Sequence, residues 1–539
     1  MASTILSVLQ RAYIASLLRD SRRYSRAIRK PADIQSRKLD RVLAKNAATV
    51  YGSKLGFSGI SSIAEFRKKV PVVGYDDIEP YIQQICAGYQ NVLTSDPVMM
   101  LERSGGSTST TKYIPYTQAL LDEFSAATNP WLHNLYTRIP GLIGTKSYWS
   151  VSPVSHNETT TSGGVPVGFE EETEYFNPVA KWSLEQMLCV PSSVRHITCD
   201  REWKHQTCRH LLQEKNLGFI SVWSPTFLLA LMEYIQANTD ALAEDLPRDA
   251  RRRLYTAIDR SRSGVNGETL WPNLKVISCW SDGISADFST RLRDYFPEVF
   301  IQGKGLLATE GVITIPLDKT PQDAESDLIS HGGVLAVNSH FYEFIDLNNE
   351  SAAPRLAHEL ERGGVYSPII TTSGGLYRYH LKDIVECTGF RRNTPELTYV
   401  NKLDRVSDLC GEKIHANQAD KAIKLASRET GINTRFALIA PRKKPPLHYT
   451  LFIESDGPTE KLKEFTTIVE QYLETGHHYS YCRQRGQLGP MDIQPVKEGW
   501  KQYQEHLSSK GQRIGDIKPT HLDARYDWHQ VFSLRSSKL

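Results

Sequence analysis

Three short apolar runs constrain the architecture most. They are Gly218-Phe219-Ile220-Ser221-Val222, residues 274–280, and Val299-Phe300-Ile301, and each reads as a β-strand. Ser224-Pro225 follows the first and suits an N-cap and first helical position, with a helix continuing through Leu229, Met232 and Ile235. The turn Ser281-Asp282-Gly283 follows the second and leads into a helix over 287–296, with Phe288, Leu292 and Phe296 on one face. Strand, helix and strand in this order predict a parallel sheet. Ligands of such sheets sit beyond the carboxyl ends of the strands. Here those ends are 223–226, 280–283 and 302–310.

The rest of the chain is arranged around that sheet. Residues 1–70 read as helices, with Leu6, Leu9, Tyr13 and Leu17 at helical spacing, and a further helix covers about 78–87. A short strand at 98–101 feeds a polar loop, and a helix over 117–135 follows with Thr117 as its cap. The segment 141–180 is rich in Gly, Ser and Thr and reads as irregular, with a strand at 146–151. From Gly332 the runs 334–337, 341–346, 365–371, 376–380 and 384–389 predict an antiparallel, barrel-like block. After Leu403 the order αββαβα suggests a small ferredoxin-like α+β domain. The fold class is therefore α/β, with a large domain over 1–403 and a small one over 404–539.

Composition narrows the function. A net charge of +3 over 539 residues, without a basic face interleaved with aromatics, argues against a nucleic-acid partner. No run approaches the roughly 18 apolar residues of a membrane span, and 12–18 is too short for a secretory leader. The eight cysteines form no C-x-x-C pair, which speaks against zinc ribbons and disulfide scaffolds and suits a reducing, cytoplasmic setting. Oligomeric state is not legible.

Three motifs carry chemistry. Ser104-Gly105-Gly106-Ser107-Thr108-Ser109-Thr110-Thr111-Lys112 offers backbone N–H groups, hydroxyls and one cation, a set that can ring a polyphosphate; a flexible linker is the alternative. Lys304-Gly305-Leu306-Leu307-Ala308-Thr309-Glu310-Gly311 places a lone carboxylate after a parallel strand, fit to hold Mg²⁺ through one oxygen. Tyr377-Arg378-Tyr379-His380-Leu381-Lys382-Asp383 puts Asp and Arg where they could grip a ribose and a phosphate. Taken singly, the last two are equally explained by salt bridges or caps.

In order and spacing these motifs resemble the adenylate-forming superfamily. The best match is its auxin-responsive Gretchen Hagen branch of acyl-acid amido synthetases, and within it the bacterial members more than the plant hormone enzymes. The resemblance runs from Val70-Pro71-Val72-Val73-Gly74-Tyr75 through the three motifs to Gly511-Gln512-Arg513-Ile514-Gly515-Asp516-Ile517-Lys518. It implies that ATP and a carboxylic acid form an acyl-adenylate and pyrophosphate. An amine, typically an amino acid, then takes the acyl group and AMP leaves. It further implies Lys112 and the 104–111 loop on phosphate, Glu310 on Mg²⁺, Asp383 on ribose and Arg378 on phosphate. Ser281, Asp282 and Gly283 would border adenine, opposite Gly305, Leu306, Leu307 and Thr309. Lys518 would be the mobile lysine of a small domain that rotates between half-reactions, a surface lysine being the alternative. Trp223, Phe227 and Leu307, with Leu120, Phe124 and Trp131, are candidate walls of the acyl pocket, which suggests an aromatic or medium apolar acid. Leu306 stands where the superfamily has an aromatic residue, and Lys382 where it commonly has Gly. A thioester-forming ligase and a non-catalytic relic of the fold are the rival functions.

Overall fold

The computed structural model describes residues 2–104, 112–150, 160–168, 186–259, 264–321, 328–349, 352–403, 406–442, 446–510, 512, 515, 517–525 and 527–533. The chain divides into two compact units, the boundary falling between Tyr399 and Val400.

The first unit opens on helices Ala2–Ala27, Pro31–Asn46, Val50–Leu55, Ile63–Lys69 and Tyr75–Cys86. In the first of these the fully buried stripe is Leu6, Gln10, Ile14, Leu17 and Tyr24, while Leu9 and Tyr13 are half-buried. The apolar reading missed Gln10 because an amide can be a core residue when it finds backbone partners. Its Nε2 donates to Thr145 O at 2.7 Å and its Oε1 accepts from Gly144 N at 2.6 Å. Gln35 does the same for the antiparallel block, donating to Val337 O and His340 O and accepting from Tyr342 N, each at 2.7 Å. These amides satisfy backbone groups that a turn would otherwise bury unpaired.

Strand β1 (Met100–Ser104) and strand β2 (Lys112–Tyr116) form an antiparallel hairpin in which Ser104 faces Lys112. The polar run 105–111 joins them and lies outside the described residues. Thr117 caps the next helix, Gln118–Arg138, by accepting from Leu120 N. Strands β3 (Lys146–Trp149), β4 (Leu217–Ser221), β5 (Val276–Cys279) and β6 (Phe300–Gly303) then make a sheet in that spatial order, every neighbouring pair parallel. Ser224 and Pro225 start the helix Pro225–Ala237, as the sequence predicts.

The antiparallel block orders Thr314–Ile315, Gly333–Leu335, Thr394–Lys402, Asp383–Arg391, Val365–Thr371, Phe341–Asp346 and Arg355–Leu356, with Tyr379–His380 paired beside Val365–Thr371. Thr394–Lys402 was not foreseen, because Pro395 and the half-exposed Glu396, Thr398 and Lys402 blur its alternation.

The second unit has helices Ala416–Thr430, Thr459–Glu474 and Gly499–Ser509 around a three-stranded sheet. Thr434–Arg442 pairs antiparallel with His448–Ser455, and Asp492–Pro495 runs parallel to the latter. Two short helices, His477–Gln484 and Trp528–Ser533, add to the expected order.

Two buried carboxylates tie the first unit together. Glu123, 3% exposed, accepts from Lys38 Nζ at 2.9 Å, from Ser373 N at 3.0 Å, and faces His340 Nδ1 at 3.0 Å. Burial alone would raise its pKa, but the bond and charge of His340, then Lys38 and Ser373, outweigh it and hold the carboxyl at about 2. Glu343, 1% exposed, takes Arg378 Nε at 2.8 Å and Nη2 at 3.1 Å, and Arg67 Nε at 2.8 Å. The Arg378 Nη1 also donates to Val70 O and Arg67 O, closing the carboxyl end of helix Ile63–Lys69.

Glu123→Gln should lower unfolding stability near neutral pH by on the order of 3 kcal/mol, since it leaves Lys38 without its counter-charge. The folded carboxyl sits below its unfolded value, so its stabilisation is complete above about pH 4.5 and lost as pH falls toward 2. Urea titrations of both proteins across that range should therefore converge at low pH; a constant gap would contradict the ion network. Arg378→Met should cost about 3–5 kcal/mol by the same reasoning, read by thermal unfolding.

Candidate active site

The carboxyl edge of the parallel sheet carries Trp223 and the 281–283 turn and leads into the 304–311 segment. Trp149 ends β3, Ser221 ends β4 with Trp223 just beyond, Cys279 ends β5 before Trp280 to Gly283, and Gly303 ends β6 before Lys304. Lys304 N donates to Cys279 O at 2.9 Å and Trp280 N to Trp223 O at 2.8 Å, so the strand ends are stitched into one rim.

The segment after β6 is shaped by its glycine. Gly305 has φ +73°, and a Cβ there would come within 2.8 Å of Thr314 O. Leu306 N then donates to Thr314 Oγ1 at 2.7 Å, and Leu306 is buried in the core. Leu307 is half-buried and pairs with Val312 across a two-residue ladder. Thr309 O accepts from Tyr116 Oη at 2.7 Å, which pins the end of hairpin strand β2 beside Glu310. Glu310 is 9% exposed. Among the described residues no group of three or more His, Cys, Asp or Glu includes it. A lone hard carboxylate suits Mg²⁺, which keeps water and substrate phosphate as its other ligands.

The Ser281 and Asp282 side chains are committed locally. Ser281 Oγ donates to Ser330 O at 2.7 Å, and Asp282 accepts from Gly332 N at 3.0 and 3.1 Å and faces His331 Nδ1 at 3.3 Å. Gly283, at φ +58°, closes the turn. Asp383 is 2% exposed and starts strand Asp383–Arg391; its carbonyl accepts from Ser367 Oγ at 2.7 Å. Lys382 before it has φ +57°, the left-handed region that glycine adopts without strain. A lysine therefore occupies a glycine conformation here. Lys112 Nζ lies 5.5 Å over the Tyr75 ring, half-buried in β2.

Arg378, Phe227 and Leu120 are placed otherwise than expected, and residues 104–111 and Lys518 fall elsewhere. Arg378 is not open to a phosphate: four of its donor contacts go to Glu343, Val70 and Arg67, and it is 4% exposed. Phe227 is 1% exposed and packed on Trp203 at 5.6 Å, a core position among the described residues. Leu120 is likewise fully buried. Residues 105–111 lie outside the described residues, as does the Ser104 side chain. Lys518 is half-buried in the second unit.

Sequence reasoning gave no role to Lys304. Its Nζ bonds Ser221 Oγ at 2.6 Å and lies 5.1, 5.5 and 5.8 Å from the Trp223, Trp131 and Trp149 rings. Burial pulls its pKa down to about 7, with only the Cys279 thiol opposing. The three tryptophans are up to 92 residues apart in sequence, so no local spacing announces the cage. The second unit brings Cys410, Glu412 and Cys482 together. Glu412 already accepts from Leu409 N, Cys410 N and Tyr449 Oη, so it acts as a loop cap.

The chain matches three family models in succession: the GH3 family N-terminal domain over 21–252, the central domain over 333–402 and the C-terminal domain over 417–525. It is 25% identical to an indole-3-acetic acid-amido synthetase, GH3.8, of Oryza sativa subsp. indica, over 90% of this chain and 87% of that one. It is 22% identical to a 4-substituted benzoates-glutamate ligase, GH3.12, of Arabidopsis thaliana, over 90% and 92%. Among solved structures, the GH3.15 acyl acid amido synthetase superposes with a TM-score of 0.78 at 20% identity, over 95% and 94%. With its N-terminal, central and C-terminal portions each matched in order, the chain belongs to the GH3 family.

Proposed function

We propose that this chain is an ATP-dependent acid–amine ligase. It activates a small carboxylic acid as its acyl-adenylate and passes the acyl group to an amine, an amino acid by analogy with its benzoates-glutamate ligase relative. The observation that carries this reading is the stitched rim at the carboxyl edge of the parallel sheet, with Glu310 on one side and the 281–283 turn on the other. A carboxylate oxygen attacks the α-phosphorus and pyrophosphate leaves. The amine nitrogen then attacks the acyl carbon, the C–O bond breaks, and AMP leaves with that oxygen.

The chain's residues divide this work. We assign the 104–111 run and Lys112 to the phosphates, where N–H groups and a cation would offset the charge that builds up during attack. Glu310 would hold Mg²⁺, which when bound neutralises phosphate charge. Asp383 accepts from the ribose hydroxyls, and the 281–283 turn with Gly305, Leu306, Leu307 and Thr309 encloses the base. Arg378 is assigned no part; it holds the frame. In this reading the first unit carries ATP and acid, and Lys518, in the second unit, is assigned as the catalytic lysine. Among the described residues no helix is long and apolar enough to cross a membrane, and we place the enzyme in the cytoplasm, where its thiols stay reduced.

Acid-dependent exchange of labelled pyrophosphate into ATP tests the first half-reaction. Glu310→Ala and Asp383→Asn should each slow it at least about a hundredfold, about 2.7 kcal/mol in barrier, with the melting temperature measured alongside. Unchanged rates in both would remove these assignments. A product formed only with coenzyme A would move the second half-reaction to thioester formation.

A further inference from the structure

The aromatic cage around Lys304 bears on which acid is used, and the inference rests on the function proposed above. The cage is rigid. Trp131 Nε1 donates to Gln302 Oε1 at 2.8 Å, Trp149 packs edge-on to Trp131 at 6.2 Å and to Phe219 at 5.8 Å, and Trp223 leans on Trp280 at 6.0 Å. Lys304 is 7% exposed and, among the described residues, forms no ion pair. Among the described residues the one hydrogen-bond partner of Nζ is Ser221 Oγ, so an ammonium there keeps two further donors with indole faces around them.

A buried ammonium without an anion costs free energy, and an acceptor brought in by a ligand offsets that cost. This one stands where ligands of parallel sheets bind, at the ends of β4 and β6. Indole faces stack flat rings, and the ammonium supplies charge-assisted bonds to an acceptor. An ammonium bonded to the attacking oxygen would withdraw the electron density that attack on phosphorus needs, so Lys304 suits the far end of the acid.

We propose that Lys304 is the specificity-determining residue of the acid site. It selects a flat, conjugated or aromatic acid that carries a second carboxylate or a hydroxyl remote from the reacting carboxyl, and that second group takes its hydrogen bond from Lys304 Nζ. The Trp131, Trp149 and Trp223 faces hold the ring in between.

The test uses the full chain and matched pairs: benzoate with isophthalate, benzoate with 3-hydroxybenzoate, and phenylacetate with 3-carboxyphenylacetate. Calorimetric titration in the presence of ATP and Mg²⁺ reads binding. In the wild type the member with the second acceptor should bind at least tenfold more tightly in one or more pairs, and in Lys304→Met that ratio should fall to near one. Lys304→Arg, which keeps the charge, should retain a preference. The Met variant exchanges a buried ammonium for an apolar chain of similar length, so its melting temperature should equal or exceed that of the wild type. No preference in the wild type, or a preference that survives in Lys304→Met, overturns the proposal. So does a Met variant that melts lower and weakens both members of a pair equally, because Lys304 would then be only a strut. Pyrophosphate exchange on the same samples separates the two claims. Selective binding without exchange sinks the ligase reading and leaves this one, whereas exchange without selectivity does the reverse.

Discussion

The Glu123 carboxylate is the interaction on which the first unit depends. It sits on the helix Gln118–Arg138, and its three partners come from the N-terminal helices, from the start of strand Phe341–Asp346 and from the turn after strand Val365–Thr371. Removing a charge from water is unfavourable unless each lone pair is met, and here Lys38, His340 and Ser373 meet them. The consequence reaches the rim. Two turns along the same helix, Trp131 is fixed against Gln302 and forms one wall around Lys304. One helix thus carries both the buried carboxylate and a ring of the cage.

A second buried carboxylate explains why Arg378 departs from its expected role. An arginine beside aromatic residues and an aspartate reads as an anion grip, and the guanidinium suits that work. Glu343 outcompetes any ligand because it is buried, bidentate and shared with Arg67. The backbone at Arg378 is itself left-handed, φ +49°, as is Lys382 at φ +57°. Two non-glycine residues in that region within five positions mark a loop whose shape is imposed by its surroundings. The shape leads directly into Asp383.

Much of this was legible in the sequence for definite reasons. Short apolar runs followed by caps such as Ser224-Pro225 announce strand–helix crossovers, because local chemistry decides them. The order of glycine-bounded motifs announced the family. What stayed hidden was set by distant residues. Gln10 and Gln35 look like surface residues until their backbone partners are known. Phe227 looked like a pocket wall because a helix pattern does not say which buried face meets a ligand, and here it meets Trp203. Lys304 stood within a quoted motif, yet its three tryptophans come from three separate stretches of chain. Lys382 stands where the superfamily commonly has glycine, and its backbone keeps the left-handed conformation that glycine adopts without strain.

The central claim is that the acid is activated through its own oxygen on the α-phosphorus at this rim. The most direct measurement follows that oxygen. The acid is supplied with ¹⁸O in its carboxylate, together with ATP, Mg²⁺ and an amino acid, and the mass of the released AMP is read. The account predicts AMP carrying one ¹⁸O atom for each amide formed. Unlabelled AMP, or label appearing in inorganic phosphate beside ADP, would contradict it.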